Sequence, residues 1–319
     1  MNTNKAITVV GSSNMDLVVE TPRIPAVGET ILGTYFFMVP GGKGANQAVA
    51  AAKLGIEVFF VAKLGDDLYG DKSLENFTKA GVNIKYITKT KETPSGVALI
   101  SVDKEGNNNI IVVPGANHKL SVFDVKSAES AIKQSKAVVC QLEIPIEVVE
   151  STAKLAKKHN VLFILNPAPA PKEKLSDALL KCVDVLIPNE IEAEGMTGIK
   201  VKDDDSAVKA CKYLLDRGVK TVIITLGAKG FLFASMEEEI FVPQIEVNAV
   251  DSTAAGDAFT GGLAAYIARG KTIKEAARCA NYVAALSVTK RGAQSSLPTQ
   301  EEVENFMQQS KQNLQRQSV

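Results

Sequence analysis

Short apolar runs alternate with helical segments along most of the chain, and this alternation limits the possible fold more than any other feature. Clear examples are the runs at 137–143, 161–169, 183–190 and 221–230. The segments between such runs are typical of helices, including one that Pro145 opens at its first turn and one near 205–217. Strands that are apolar along their whole length and separated by helices form parallel sheets with both faces covered. We therefore predict a doubly wound α/β fold, with a mostly parallel sheet flanked by helices.

Two early segments have a different character from the rest of the chain. Residues 14–42 are rich in Pro, Gly, β-branched and aromatic residues, and residues 92–117 contain two strand-forming runs around the Gly106-Asn107 turn. We predict that the two segments form a small accessory β-sheet, a lid over one end of the main sheet. No repeat or linker divides the sequence, so a single domain over residues 1–319 is expected.

The remaining helices and strands are predicted from stretches of helix-forming residues that end at glycine and from short apolar runs. Helices are predicted at 44–55, 70–81, 255–269 and 272–290, and the capping-box sequence at 299–302 begins a last helix. Strands of hairpin type are predicted at 231–235, 238–243 and 245–250.

The balance of charge and the cysteines restrict the class of protein. Lys and Arg total 36, as do Asp and Glu, which predicts binding to neither nucleic acid nor a membrane surface. No apolar run approaches the roughly 18 residues of a membrane span, and the first apolar run is too short for a signal peptide. The four cysteines form no C-x-x-C pair, which favours buried free thiols in a reducing compartment. A cytoplasmic protein is therefore expected.

Two glycine-rich stretches only partly match known cofactor motifs. Residues 65–73 nearly match the phosphate-loop pattern, but Asp71 stands between Gly70 and Lys72, and its charge would repel a phosphate. Residues 40–47 fail the dinucleotide-binding pattern because Gln47 stands where a glycine is required. A nicotinamide-dependent oxidoreductase is therefore disfavoured.

Two other glycine turns lie where α/β proteins bind ligands, and each has two interpretations. Residues 41–46 offer close backbone approach, a cation and an amide at a helix start, which suits a small hydroxyl-rich molecule or serves only as a turn and cap. Residues 225–230 end a buried strand, where backbone N–H groups could receive a nucleotide or merely connect two strands.

Asp257 follows three residues whose side chains leave the backbone open, Ala254, Ala255 and Gly256, at the start of a predicted helix. Free N–H groups and the positive end of the helix dipole attract an anion there. They also favour a charged carboxylate, so Asp257 is expected to stay ionised. It could then take a proton from a substrate hydroxyl while the N–H groups stabilise a phosphoryl group. The alternative is an acid that only stabilises the first turn.

Seven motifs occur together in an order and spacing that resemble the PfkB carbohydrate kinase family. They are GSSNMD, GGKGANQA, NPAPA, PNEIEAE, TLGAKG, DSTAAGDAFTGG and KRGAQSS. They extend from Gly11 to about Pro298 and so span nearly the whole chain. The resemblance implies a lid that closes over the sugar and excludes water.

The resemblance implies a substrate site made of Asn14, Asp16, Gly42, Lys43, Asn46, Glu143 and Asp257. Asn14 and Asp16 would hold sugar hydroxyls, with Asp16 accepting from a vicinal diol. Asp257 would deprotonate the primary hydroxyl, and residues 254–256 would form the anion hole. The residues expected to back the sugar ring are Ile100, Val112 and Val113.

The same resemblance implies a nucleotide site lined by Asn189, Thr225, Gly227, Gly230, Gly256 and Asn281. Asn189 and Glu192 would organise Mg²⁺ and the ATP phosphates, Glu192 through water. An activating monovalent cation, usually K⁺, would bind at Asp251, Thr253, Ser287, Lys290, Gly292 and Ser296. Lys290 could take part only through its backbone carbonyl, because its ammonium would repel the ion.

The implied activity is ATP-dependent phosphorylation of the 5-hydroxyl of D-ribose, giving D-ribose 5-phosphate and ADP. The implied partners are ribose, ATP with Mg²⁺, K⁺ and a second copy of the chain, paired through the lid. A related kinase for deoxyribose, fructose or a nucleoside is the alternative. A further alternative is a catalytically silent sugar-binding protein. Asp257 and the pair Asn189 and Glu192 argue against it, because sugar binding alone needs none of them.

Overall fold

The computed structural model describes residues 6–317, which contain thirteen β-strands. In chain order they are β1 Ala6–Val10, β2 Asn14–Thr21, β3 Tyr35–Gly41, β4 Glu57–Gly65, β5 Asn83–Thr90, β6 Gly96–Asp103, β7 Asn108–Val113, β8 Ala137–Cys140, β9 Leu162–Leu165, β10 Val185–Leu186, β11 Thr221–Thr225, β12 Phe231–Ser235 and β13 Glu239–Val242. The larger sheet has the order β13-β12-β11-β10-β9-β8-β1-β4-β5. Its strands are parallel from β5 to β11, and only β12 and β13 run antiparallel to their neighbours.

Eleven α-helices lie within the same residues. They are α1 Lys43–Lys53, α2 Leu68–Lys79, α3 Val122–Ser127, α4 Glu129–Gln134, α5 Ile146–Lys158, α6 Asp177–Leu180, α7 Glu190–Thr197, α8 Asp204–Asp216, α9 Ala255–Ala268, α10 Ile273–Ser287 and α11 Gln300–Gln317. The predicted capping box is present before α11, where Thr299 and Glu302 exchange hydrogen bonds. None of the helices in this part of the chain is long and apolar enough to cross a bilayer.

The main sheet separates two hydrophobic cores. Along β1, Ile7 and Val9 face the core formed with α1, α9 and α10, whereas Val10 faces the core formed with α5 and α8. Strand side chains alternate between the two faces of a sheet, so a strand that is buried on both faces is apolar at nearly every position. The exception in β1 is Thr8, whose hydroxyl hydrogen-bonds that of Ser135. The predicted doubly wound fold is confirmed.

Two local expectations are wrong. Residues 245–250 form no strand, because β13 ends at Val242, just before Pro243, and the segment that follows instead lines a cavity. Cys140 and Cys211 are buried, but Cys182, just after α6, and Cys279 on α10 are only partly buried.

The smaller sheet has the order β3-β2-β6-β7, and its strands come from residues 14–41 and 96–113. It lies beside the start of α1, because β3 ends at Gly41 and α1 begins two residues later. Its register places Asp16, Ala98 and Val112 in one row. Ile100 shares their face, but Val113 points to the opposite one, so the expectation that both Val112 and Val113 back the sugar is wrong.

Candidate active site

Close backbone contact brings the end of β1 against the start of α1. Gly42 has φ 88°, and a Cβ there would lie 2.7 Å from the Asn14 nitrogen. A Cβ on Gly44 would lie 2.6 Å from the Ser12 nitrogen. Only glycine allows both the positive φ and these approaches, so the GGKG motif sets Lys43 and Asn46 beside the residues that follow β1.

The carboxylate of Glu143 follows β8 and is fixed by this contact. Its Oε2 accepts hydrogen bonds from the Ser12 hydroxyl at 2.5 Å and the Lys43 backbone N–H at 3.0 Å. Ser12 in turn accepts from the Gly44 N–H at 3.3 Å. The predicted sugar residues Lys43 and Glu143 are thus joined directly.

Asp16 lies on β2, facing the same region. Burial, together with the negative charges of Glu143 and Asp257, raises the pKa of its carboxyl to about 7. These charge interactions place the three acids in one electrostatic environment. Asp16 therefore exchanges a proton near neutral pH.

The turn before α9 exposes backbone N–H groups. Ala254 adopts the left-handed conformation with φ 60°, and it has no side chain that could cap the helix. The Ala255 N–H donates to the Ser252 carbonyl at 3.2 Å, so it is not open as expected. Within residues 6–317, no acceptor engages the N–H of Gly256 or Asp257. These two groups form the open end of the helix dipole.

Asp257 is buried in the first turn of α9, with 6% of its surface exposed. Its Oδ2 accepts from Asn46 Nδ2 at 2.8 Å and its Oδ1 from Gln47 Nε2 at 2.9 Å. Burial raises the pKa of Asp257, although the charge of Lys43 and the two amide donors oppose this. The pKa of Asp257 is thus raised above its usual value, because burial outweighs the favourable groups.

Lys43 supplies the positive charge of the site. Burial lowers its pKa, but the carboxylates of Asp257, Glu143 and Glu192 together outweigh that effect and raise the pKa above its usual value. The ammonium therefore stays charged at neutral pH. A cavity of about 180 Å³ is lined by Lys43, Glu192 and Asp257 together with residues 254–256.

Asn189 and Glu192 form a capping box at the start of α7. Asn189 Oδ1 accepts from the Glu192 N–H at 2.8 Å, and Glu192 Oε2 accepts from the Asn189 N–H at 2.9 Å. Burial raises the pKa of Glu192, with hydrogen bonding to Asn189 and the charge of Lys43 opposing it. Both residues also line the 180 Å³ cavity, so the pair caps a helix and presents oxygen atoms to the site.

A second cavity of about 820 Å³ adjoins the first and shares Asn189, Thr225 and Gly256 with it. Gly227, Gly230 and Asn281 also line it, as predicted for the nucleotide site. Asn281 donates to the Pro243 carbonyl at 2.8 Å and so helps to hold the cavity wall. The volume lies within the range of small-molecule sites.

Two segments that carry the predicted cation ligands meet beside α9. Asp251 accepts from the Gly292 N–H at 2.8 Å and from the Thr253 hydroxyl at 2.6 Å. Burial raises the pKa of Asp251, but these hydrogen bonds outweigh it and lower the pKa below its usual value. The Lys290 ammonium is turned to Glu302 at 2.5 Å, which leaves its carbonyl as the only possible ligand group.

The other two predicted cation ligands are held within their own segments. The buried hydroxyl of Ser287 donates to the Ala284 carbonyl, and that of Ser296 donates to the Ala293 carbonyl, each at 2.8 Å. Neither hydroxyl is directed to Asp251 by these bonds. Of the six predicted ligands, the structure therefore joins Asp251, Thr253 and Gly292 most closely.

Sequence reasoning missed several buried polar residues that support the site. Asn117 contacts Asn14, Gln47 contacts Asp257, and Ser12 contacts Glu143. Ser12 lies in the GSSNMD motif and Gln47 in the GGKGANQA motif, so their place in a motif was the signal that could have identified them. Asn117 had none, because its partner lies 103 positions away.

The sequence as a whole matches one protein family. Residues 4–300 match the family described as pfkB family carbohydrate kinase. The chain belongs to this family, which confirms the resemblance in the motifs. A kinase of this class transfers a phosphoryl group from ATP, with a divalent metal ion, to a carbohydrate hydroxyl.

Individual relatives are similar along nearly their whole length. The ribokinase of Haemophilus influenzae is 43% identical over 304 residues, covering 95% of this chain and 99% of that protein. The deoxyribokinase of Salmonella typhi is 40% identical, covering 94% and 98%. The structure of the Arabidopsis thaliana ribokinase complexed with ribose and ATP is 34% identical, with a TM-score of 0.87 and coverage of 94% and 97%.

Proposed function

We propose that this protein phosphorylates the 5-hydroxyl of D-ribose with ATP, giving D-ribose 5-phosphate and ADP. The position of Asp257 carries the proposal. It borders the 180 Å³ cavity, it is next to the free N–H groups of the α9 start, and it contacts Asn46 of the predicted sugar site. A base and an anion-binding end of a helix in one place suit attack of a hydroxyl on a phosphoryl group.

In this reaction Asp257 takes the proton of the ribose O5 hydroxyl as O5 bonds to the γ-phosphorus. The bond from that phosphorus to the β,γ-bridging oxygen breaks, and ADP leaves with the electron pair. The N–H groups of Gly256 and Asp257 and the ammonium of Lys43 stabilise the transferring group. The nucleotide extends into the 820 Å³ cavity past Thr225 and Gly227.

Asn14 and Asp16 select the sugar in this proposal. The Asp16 carboxylate would accept hydrogen bonds from the vicinal 2- and 3-hydroxyls of ribose, and the amide of Asn14 would donate another. A deoxyribose kinase is the second candidate, because one relative of similar identity is a deoxyribokinase. Loss of one hydroxyl of the diol distinguishes the two sugars.

The oxygen atoms of the site fit the two proposed cations. Glu192 and Asn189 offer carboxylate and amide oxygens at the cavity, ligands of the kind that Mg²⁺ accepts directly or through water. Bound with ATP, Mg²⁺ neutralises phosphate charge. For K⁺, Asp251, whose pKa is lowered, contacts the 287–296 segment through the Val288 carbonyl and the Gly292 N–H, and the Lys290 ammonium is directed away.

The outer face of the smaller sheet supports a homodimer through the lid. Met38, Leu17, Leu99 and Ile111 form a row across its four strands, on the face opposite Asp16. Leu99 is 45% and Ile111 64% exposed. A contiguous exposed apolar row of this kind is typical of an interface.

The deciding experiment compares initial rates of ADP release with ribose, 2-deoxyribose, fructose and nucleosides at saturating MgATP. We expect ribose to have the highest kcat/KM. A severalfold preference for 2-deoxyribose would contradict the diol argument and favour the second candidate. Absence of turnover with every sugar would contradict the proposed activity.

A further inference from the structure

We propose that Gln47 is a positioning residue for Asp257. A chain of buried amides fixes its side chain in one orientation, and Gln47 thereby holds the carboxylate with its remaining lone pairs toward the cavity. This inference rests on the proposed function, in which Asp257 accepts the proton of the sugar hydroxyl.

Every hydrogen-bonding group of the Gln47 amide is engaged. Its Nε2 donates to Asp257 Oδ1 at 2.9 Å and to Asn166 Oδ1 at 3.0 Å. Its Oε1 accepts from Gln141 Nε2 at 2.6 Å. Gln47 is fully buried, so water does not replace any of these partners. Among the described residues that line the 180 Å³ cavity, Asp257 and Asn166 are present and Gln47 is not.

The backbone decides which way this amide points. Asn166 Nδ2 donates to the carbonyl oxygen of Ile187 at 2.8 Å, and a carbonyl can only accept. Asn166 must therefore present its oxygen to Gln47, and Gln47 must present its nitrogen to both Asn166 and Asp257. A flipped Gln47 would place its oxygen against two other oxygens, leaving buried groups unsatisfied.

A second branch holds the other carboxylate oxygen. Asn46 Nδ2 donates to Asp257 Oδ2, and Asn46 Oδ1 accepts from Gln294 Nε2 at 3.1 Å. Gln294 Oε1 in turn accepts from Asn76 Nδ2 at 2.6 Å. Each oxygen of Asp257 thus receives one N–H from an amide that is itself hydrogen-bonded to another amide, so the carboxylate cannot rotate without losing a bond.

A close approach of two helices makes the Gln47 contact possible. Gly261 lies on α9, one turn after Asp257, and a Cβ there would be 2.6 Å from the Gln47 backbone oxygen. The missing side chain lets α1 pack directly on α9. The amide of Gln47 therefore reaches Asp257, which lies 210 positions further along the chain.

This arrangement has two chemical consequences. A proton can be added only to the lone pairs that no N–H donor occupies, which directs it to the side where the sugar hydroxyl would lie. The donors also stabilise the charged form, so they oppose the effect of burial, which raises the pKa of Asp257. Gln47 therefore both orients the base and keeps more of it ionised at neutral pH.

The test is the pH dependence of kcat for ribose in Gln47→Met and Gln47→Glu. Gln47→Met keeps the size of the side chain but removes the donor to Asp257. The acid limb is the part of the pH profile where kcat falls as the pH is lowered. In Gln47→Met we expect it to move upward by about one pH unit, which corresponds to the free energy of one hydrogen bond to a charged group. Its kcat at pH 7 should fall about tenfold, with the KM for ribose nearly unchanged.

Gln47→Glu keeps the acceptor for Gln141 but places a second carboxyl beside Asp257. Two acids that share a site raise the pKa of one of them, so a larger upward shift of the acid limb is expected. Gln141→Met removes only the restraint on Gln47, which lies between Gln141 and Asp257. It should move the limb in the same direction by a smaller amount.

Thr152→Val is the matched control, because Thr152 is fully buried and donates to the Val148 carbonyl at 2.7 Å within α5, away from the site. It should lower the melting temperature and leave the acid limb unchanged. An unchanged acid limb and kcat in both folded Gln47 variants would overturn the inference. If those variants fail to fold, an unchanged profile in Gln141→Met overturns it.

The result separates this inference from the proposed function. Normal turnover in Asp257→Asn, or no ribose phosphorylation by the unaltered protein, would contradict the proposed function and the role of Gln47 with it. An active protein whose Gln47 and Gln141 variants keep the original pH profile would contradict the role of Gln47 alone.

Discussion

Asn117 Nδ2 donates a hydrogen bond to Asn14 Oδ1 at 2.8 Å, and Asn117 Oδ1 accepts from the Ser13 N–H at 2.9 Å. Asn117 is buried and lies in the short 3-10 helix Gly115–Lys119, directly after β7. The backbone donor of Ser13 fixes the direction of the Asn117 amide. The oxygen of Asn14 is therefore occupied, and its Nδ2 remains to donate to a ligand.

We expect Asn117→Leu to raise the KM for ribose about tenfold, the effect of one lost hydrogen bond in a buried site. Asn117→Asp should give a similar loss, because a carboxylate still accepts from Ser13 but cannot donate to Asn14. The KM for ATP should be nearly unchanged and serves as the internal control. Initial rates at saturating ATP measure both constants, and an unchanged KM for ribose in folded protein would remove Asn117 from sugar binding.

Asp257→Asn should lower kcat about 10²- to 10⁴-fold, because it removes the proposed general base. The fold and the affinity for ATP should be retained, since the nucleotide cavity is built from other side chains. Asp205→Asn, an exposed acid on α8, is the matched control and should have normal kcat. Release of ADP in a coupled assay measures turnover. Near-normal turnover in Asp257→Asn would show that another group takes the proton.

The raised pKa of Asp16, about 7, predicts a pH-dependent affinity for ribose. Only the ionised carboxylate accepts hydrogen bonds from both hydroxyls of the diol. The KM for ribose should therefore rise as the pH falls below about 7. Rates measured across this range with saturating ATP test the prediction, and a KM that is flat from pH 6 to about 8 would contradict it.

The same pKa predicts the effect of pH on stability. Unfolded Asp has a pKa of about 4, so between about pH 4 and 7 the folded protein holds a proton that the unfolded chain has released. The contribution of Asp16 to the free energy of unfolding therefore falls as the pH rises through this window, and its full cost is present above about pH 7. Asp16→Asn should raise the melting temperature at pH 8 by about 2 °C or more, and by less at pH 5. Calorimetry without sugar measures this, and equal shifts at both pH values would refute the assignment.

Replacement of K⁺ by a large organic cation should lower kcat, because the proposed cation site lies beside the turn that opens α9. Asp251→Asn weakens the charge at this site, and it should lose most of its response to added K⁺. Asp205→Asn should keep the response and is again the control. Titration of kcat with K⁺ at constant ionic strength tests this, and equal activity in both salts would contradict the proposed cation.

Leu99→Glu combined with Ile111→Glu should convert a dimer to a monomer, because two charges would lie in the apolar row of the lid. Phe123→Glu alters an exposed apolar residue on α3, 76% exposed, and should leave the assembly unchanged. Sedimentation equilibrium measures the molar mass of each protein. A monomeric parent protein, or a dimeric double variant, would contradict the lid interface.

Local features could be predicted from the sequence to the extent that their partners are close in the chain. The capping box of Thr299 and Glu302 spans four residues, and the apolar period of β1 reflects burial on both faces. The segment 245–250 has the composition of a strand, yet it pairs with none of the strands within residues 6–317. The motif DSTAAGDAFTGG likewise indicated an acid, Asp257, at a helix start.

By itself the sequence determined the alternating elements, the doubly wound sheet and the candidate acids, because hydrophobic periodicity and capping act within a few residues. Only the tertiary structure decided how those acids behave. The partners of Asp257 are 210 and 211 positions away, and Asn117 reaches Asn14 across 103. Burial, which raises the pKa of Asp16 and Asp257, exists only once the sheets and helices have closed around them.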